Sequence, residues 1–193
     1  PCLPGDYGNT PGRTSCDACP PGRHNPGSAQ TSCTFCAAGR FNDAFRQREC
    51  QVCPDGRYQP VASTAFSPVL SCASCAGGQY AARNATHGTV ACTKCGRGES
   101  STNPDDGTES RVQCFPCARG RFQDQEEGAE CKACGSGDTA DSRGQLSCTP
   151  CTPGRYAKNT TYCAACPKAQ FAGTSGHVDC PLCRPGTFGN ETG

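Results

Sequence analysis

The apolar positions of this chain follow no helical periodicity. Eight of its 13 aromatic residues recur instead at one fixed place, the fifth residue after a cysteine: Tyr7, Phe41, Tyr58, Tyr80, Phe122, Tyr156, Phe171 and Phe188. His24, Ser100 and Thr139 hold that place in three further copies. Two residues before it stands a glycine (Gly5, Gly22, Gly39, Gly56, Gly78, Gly98, Gly120, Gly137, Gly154, Gly186), with Ala169 the one departure. In Pro4-Gly5, Pro21-Gly22, Pro153-Gly154 and Pro185-Gly186 a proline precedes it. Proline fixes φ near −65° at the first central position of a turn, and glycine supplies the positive φ that a type II turn needs at the next. Each copy therefore predicts a tight turn and then a short extended stretch whose aromatic packs against a neighbouring disulfide. The secondary structure expected is short irregular strands and turns, with no helix of note.

The copies are spaced by cysteines. Ten C-x-x-C pairs follow the single Cys2: Cys16/Cys19, Cys33/Cys36, Cys50/Cys53, Cys72/Cys75, Cys92/Cys95, Cys114/Cys117, Cys131/Cys134, Cys148/Cys151, Cys163/Cys166 and Cys180/Cys183. Fixed periodicity of this kind marks a repeat array. The modules run 2–16, 19–33, 36–50, 53–72, 75–92, 95–114, 117–131, 134–148, 151–163 and 166–180, and an incomplete one occupies 183–193. The longer loops at 53–72, 75–92 and 95–114 are expected to carry surface insertions.

Composition explains why so many cysteines are needed. The 193 residues include 21 Cys, 24 Gly and 16 Pro, but only four Leu, six Val and no Ile or Met. Ten large aliphatics cannot build a conventional core for a 20 kDa chain, so burial must be local and stapled. Ordering a residue costs roughly 1–2 kcal/mol of backbone entropy. A disulfide closing a loop of ~15 residues returns about 3 kcal/mol of that by restricting the unfolded chain. Net charge is +1, with both signs mixed along the chain, so nothing suggests a nucleic-acid partner. No apolar run approaches the ~20 residues of a membrane span. The chain begins at Pro1 without a signal peptide, which leads us to expect a mature or excised segment.

A C-x-x-C pair can hold zinc, carry thiol redox chemistry or supply one sulfur to each of two disulfides. Successive pairs at ~15–20 residues do suit four-cysteine zinc sites. Against zinc stand the near-neutral charge and the lone Cys2, which opens a complete Pro-Gly-x-Tyr phrase without a partner pair. Three N-glycosylation sequons, at Asn84, Asn159 and Asn190, also favour a secreted protein. Redox catalysis needs a βαβ setting that depresses one thiol pKa, and ten equivalent copies argue for staples instead.

Spacing leaves two pairings open. In the one that the module phrase favours, each opening cysteine bonds the first cysteine of the next pair: Cys2–Cys16, Cys19–Cys33, Cys36–Cys50, Cys53–Cys72, Cys75–Cys92, Cys95–Cys114, Cys117–Cys131, Cys134–Cys148, Cys151–Cys163 and Cys166–Cys180. Cys183 is then left over, opening a module whose closing cysteine would lie beyond Gly193. In the other, the two cysteines of a pair bond the two of the next.

The phrase C-x-P-G-x-Tyr/Phe, a loop and C-x-x-C resembles the opening module of tumour-necrosis-factor-receptor cysteine-rich domains. It is more closely similar to the ephrin-receptor-like cysteine-rich repeats found in long tandem runs. The resemblance covers the whole chain; the missing aromatics at His24, Ser100 and Thr139 and the longer loops depart from it. It implies the consecutive pairing, and a protein of the kind found on the surfaces of protists, algae and ciliates, such as the shaft protein of mastigonemes. Receptors with a few such repeats are the alternative it implies, with the 53–114 insertions as a ligand-binding surface.

Other chemistry is sparse. His24, His87 and His177 are the only histidines, and none lies in a catalytic phrase, so no enzyme, cofactor or metal is expected. His24, in the aromatic slot, reads as packing. Asp124, Glu126, Glu127 and Glu130 could gather calcium but match no calcium loop and read as a solvated face. Arg23, Arg40, Arg57, Arg121 and Arg155 recur just after the module glycine, to cover the aromatic or to pair with a neighbouring carboxylate. Thr10-Pro11, Ser67-Pro68, Thr149-Pro150 and Thr152-Pro153 are candidate O-glycan steps. Thr149-Pro150 reads as the hinge between its two modules, while each two-residue spacer leaves little freedom between disulfides, so that stacked loops propagate stiffness. The expectation is an elongated, extracellular, N-glycosylated rod of disulfide-stapled modules. Its partners would be further repeats or other copies of itself in a filament. A loop of 13 residues folded back on itself reaches ~20 Å at most, and ten modules on the order of 200 Å.

Overall fold

A computed structural model describes residues 1–10, 14–82 and 86–186. Among them there is no helix, and the secondary structure is a series of two-stranded sheets, nine in number. The chain divides into two compact units, one of Pro1–Thr93 with Arg111–Gln113, the other of Lys94–Ser110 with Cys114–Gly193. Both are built from the same module.

The module is a small antiparallel hairpin whose strands are set by its cysteines. Its first strand is the two residues after the turn glycine, and its second is the two residues between the cysteines of the following pair. Asp6–Tyr7 pairs with Asp17–Ala18, Arg40–Phe41 with Gln51–Val52, and Arg121–Phe122 with Lys132–Ala133. Thr149–Pro150 is likewise a strand, paired with Asp138–Thr139, and not a hinge. Proline is tolerated there because in a two-stranded sheet each strand is an edge. The N–H of the second cysteine continues the ladder to the turn-glycine carbonyl, as from Cys19 to Gly5 and Cys151 to Gly137, at 2.9 and 3.1 Å.

The turns have the geometry that Pro-Gly dictates. Asp6 N–H donates to the Leu3 carbonyl at 3.0 Å across Pro4 and Gly5, and Gly5 has φ +91°. Ala169, at the same point of its module, is held at φ +66°. A side chain there costs roughly 1–2 kcal/mol.

In place of an oily interior there is buried sulfur. Cys19, Cys36, Cys53, Cys95, Cys117 and Cys151 are fully enclosed at 0% exposure, and the buried apolar residues beyond cysteine are Val69, Ala81, Ala140 and Ala172. The aromatics Tyr7, Phe41, Tyr58, Tyr80, Phe122 and Tyr156 are half-buried, and Phe171 is exposed. The longer loops are not wholly surface. In 53–72, Ser63 and Val69 turn inward, joined by a 2.9 Å bond from Val69 N–H to Ser63 Oγ, while Phe66 at the tip is 100% exposed. The module at 151–163 has the shortest loop and closes as a longer hairpin, Arg155–Asn159 with Tyr162–Ala165.

Modules are joined by backbone hydrogen bonds that repeat within each unit. The turn-glycine N–H donates to a carbonyl six residues past the opening cysteine of the next module: Gly5 to Asn25, Gly22 to Asn42, Gly98 to Gln123 and Gly120 to Ala140, at 2.8–2.9 Å. The N–H of that sixth residue then donates to the loop of the module after it, as from Asn25 to Gln47, Asn42 to Val69 and Ala140 to Thr160. Contact also skips a module. The turn glycines Gly22, Gly39 and Gly56 face Pro68, Gly88 and Arg111, so closely that a Cβ on them would lie 2.6–2.8 Å from those segments.

Two glycines with similar φ separate the roles of conformation and contact. Gly98 (φ +81°) abuts Gly144 and Leu146, whereas Gly107 (φ +72°) has nothing within 4 Å of an added Cβ. Gly107→Ala should lose about 1 kcal/mol, and Gly98→Ala about 1–3 kcal/mol more, in denaturant unfolding of the oxidised chain. Ala169→Gly should gain about 1 kcal/mol. Equal losses for Gly98→Ala and Gly107→Ala would remove the module-skipping contact from the account.

Candidate functional site

The functional element with most structure behind it is the seam between modules. Ten disulfides join Cys2–Cys16, Cys19–Cys33, Cys36–Cys50, Cys53–Cys72, Cys75–Cys92, Cys95–Cys114, Cys117–Cys131, Cys134–Cys148, Cys151–Cys163 and Cys166–Cys180. Their Cα separations are 5.6–5.8 Å, the middle of the range a disulfide accommodates. Cys183 is a free thiol in this chain, yet its N–H bonds the Ala169 carbonyl at 2.9 Å, just as the N–H of Cys151 and Cys166 bonds the turn-glycine carbonyl of the preceding module.

The aromatic slot faces this seam. In the three modules where it is not aromatic, a polar atom lies against the closing sulfur of the next module. His24 Nδ1 is 3.3 Å from Cys50 Sγ, Ser100 Oγ 3.3 Å from Cys131 Sγ, and Thr139 Oγ1 3.5 Å from Cys163 Sγ. These sulfurs are in disulfides and carry no proton, so the hydroxyls donate. His24, Cys36 and Cys50 also come together as a metal-like trio. Because Cys36 and Cys50 are bonded to each other, neither offers the thiolate that a zinc ion requires.

The recurring arginines take a role that the sequence did not suggest. Arg40, Arg57 and Arg121 each donate from Nη1 to the carbonyl of their own module's closing cysteine, Cys50, Cys72 and Cys131, at 2.9, 3.1 and 2.9 Å. Arg40 also reaches the Thr86 carbonyl, 2.6 Å from Nη2. Arg23 lies over the Phe35 ring at 4.0 Å, outside the aromatic slot. Arg155 does none of these things.

Position six after the opening cysteine went unnoticed in the sequence. It is Asn25, Asn42, Gln59, Ala81, Ser101, Gln123, Ala140, Ala157 or Ala172 in successive modules, always an amide or a small residue. Asn25 and Asn42 are buried at 2% and 0%, and each Nδ2 donates 2.6 Å to a carbonyl of the preceding module (Asp6, Arg23) while Oδ1 accepts from Gly27 or Ala44. The signal was available as the absence of charged and bulky side chains at one register.

The acidic cluster does not converge on a cation site. Lys132 binds Asp124 at 2.6 Å and its hydrogen bond holds that carboxyl below its ordinary pKa, while Lys94 pairs with Glu127 at 3.0 Å. Of the sequons, Asn159 is exposed at the end of its hairpin, where its Oδ1 accepts from Thr161 N–H at 2.9 Å and Thr161 Oγ1 at 2.6 Å. Asn84 and Asn190 lie outside the described residues, as do Phe188 and Pro11. His87 and His177 sit in loops, and His177 Nε2 is 3.1 Å from Thr174 Oγ1. No helix among the described residues is long and apolar enough to cross a membrane. No protein-family model and no curated protein sequence matches the chain.

The seam makes a local prediction. Cys148→Ser should free Cys134 and leave the other nine bonds in place, Cys151–Cys163 included, in non-reducing peptide mapping. Loss of Cys151–Cys163 along with Cys134–Cys148 would contradict independent loops.

Proposed function

We propose that this chain is a structural segment of an extracellular glycoprotein, a disulfide-stapled rod in a filament or cell-surface appendage. The observation that carries this reading is the repeated set of backbone bonds between modules. From Asp17-Ala18 to Ala164-Ala165 both residues of the C-x-x-C spacer lie in a strand, and turn glycines such as Gly5, Gly22, Gly98 and Gly120 are tied to the next module, which restrains the seam against bending. Load applied along the chain meets hydrogen bonds first and covalent staples next. Ten disulfides in a chain this size suit an oxidising compartment outside the cell. The resemblance to tandem repeats of algal and protist surface proteins points the same way, with further repeats or other copies of the chain as partners. N-linked glycans belong to this reading at Asn84, Asn159 and Asn190.

Single-molecule stretching tests the mechanical part. The oxidised chain should resist as a stiff element, and reductant should release about 45 Å of extra contour for each opened 13-residue loop. An entropic-spring response of the oxidised chain at low force would overturn the rod. Glycan occupancy is a separate measurement. In a secreting eukaryotic host, Asn159→Gln and Thr161→Val should each remove the same glycosidase-sensitive mobility step, and its absence from the parent chain would remove that site.

A further inference from the structure

Among the recurring arginines, Arg155 neither bonds its module's closing cysteine, as Arg40, Arg57 and Arg121 do, nor lies over a ring, as Arg23 does; it lies in a cleft. Thr139, Asp141, Gln145, Thr149, Thr152, Arg155 and Tyr162 line a groove of about 470 Å³ across the hairpins of the 134–148 and 151–163 modules, within one unit. A cavity of this size falls in the range that takes a small ligand. Its lining differs from an apolar pocket: hydroxyls, one amide, one carboxylate, one guanidinium and a single aromatic that is 43% exposed.

Arg155 is the key to its chemistry. In the modules of Arg40, Arg57 and Arg121 the guanidinium is committed to the closing cysteine's carbonyl. In those modules the strand ladder ends before the closing cysteine, as it does at Phe41↔Gln51 and Phe122↔Lys132. In the short module it runs on through Ala157↔Cys163, and the Arg155 guanidinium makes no hydrogen bond or ion pair among the described residues. A planar, permanently charged fork left free in a groove matches a carboxylate bidentately. Asp141 is oriented by Ser142 Oγ at 3.0 Å and Gln145 Nε2 at 3.3 Å, and its remaining oxygen can accept from a ligand hydroxyl. Tyr162 supplies a flat apolar face beside these polar groups.

We propose that this groove binds an acidic sugar, a uronate residue of an extracellular polysaccharide or glycan. Arg155 takes the carboxylate, Asp141 and Gln145 take ring hydroxyls, and Tyr162 stacks on the C–H face of the pyranose. The groove would tether the segment to a carbohydrate matrix, which goes beyond its mechanical reading and stands or falls separately from it.

Titration calorimetry with a short oligogalacturonate, against the same oligomer with its carboxyls reduced to alcohols, tests the assignment on the oxidised chain. The acid form should bind; the reduced form and Arg155→Ala, which lose the charge-assisted bonds, should each bind at least about tenfold more weakly, and Tyr162→Ala, which loses the stacking face, should also bind more weakly. Arg121→Ala, whose guanidinium serves its own backbone, should leave affinity unchanged. Peptide mapping that finds all ten disulfides in each variant excludes misfolding as the cause. Failure of the parent chain to bind, or unchanged affinity in Arg155→Ala, overturns the site. Equal binding of the carboxyl-reduced oligomer overturns the acidic sugar as its ligand.

Discussion

A left-handed backbone residue placed three positions after each opening cysteine governs this structure. Positive φ at that point turns the chain into its hairpin, and it also aims both polar groups of the residue outward. The carbonyl accepts from the second cysteine of the following pair, as Gly5 does from Cys19, and the N–H of Gly5, Gly22, Gly39, Gly56, Gly98, Gly120 and Gly154 donates to the next module. The missing side chain lets a later loop close over it. One backbone conformation therefore fixes the hairpin, the connection to the following module and the contact beyond it. Disulfides keep this arrangement from dissolving, but they do not choose its geometry.

The sulfur core follows from that constraint. Because the hairpins are short, most of them two residues to a strand, no face is large enough to carry a conventional apolar layer. Burial falls on the second cysteines of the pairs, such as Cys19, Cys36 and Cys53. Polar residues can sit beside the disulfides because their sulfur tolerates a hydroxyl or an imidazole as well as a ring, as at Ser100, Thr139 and His24. The slot is thus defined by what it faces, and its aromatic preference is a consequence of shape.

What was legible in the sequence was whatever is encoded within a few residues. Gly5 after Pro4 announces its own turn, and the cysteine spacing announces the module. Thr149-Pro150 was misread because proline argues against a strand, and only the two-stranded context removes that objection. The burial of Asn25 and Asn42 was hidden for a different reason. An asparagine two residues past an arginine looks like a surface loop until the preceding module brings a carbonyl to it. The inward turn of Ser63 and Val69 depends on Cys36 and Asn42, which lie far back along the chain, and no local pattern could have disclosed it. Arg155 looked like Arg40, Arg57 and Arg121 because the feature that sets it apart is the length of its hairpin.

The contact from turn glycines such as Gly22, Gly39, Gly56, Gly98 and Gly120 to the module after next sets the size of the smallest independent piece. Were modules linked only to immediate neighbours, one could open and close like a single bead on a thread. Here an opened module withdraws its loop from a glycine two steps back and exposes its own glycine to water two steps ahead. The smallest piece that can breathe is consequently longer than a disulfide loop. Within each unit the modules overlap, so that the loss of one contact is shared with the modules on either side.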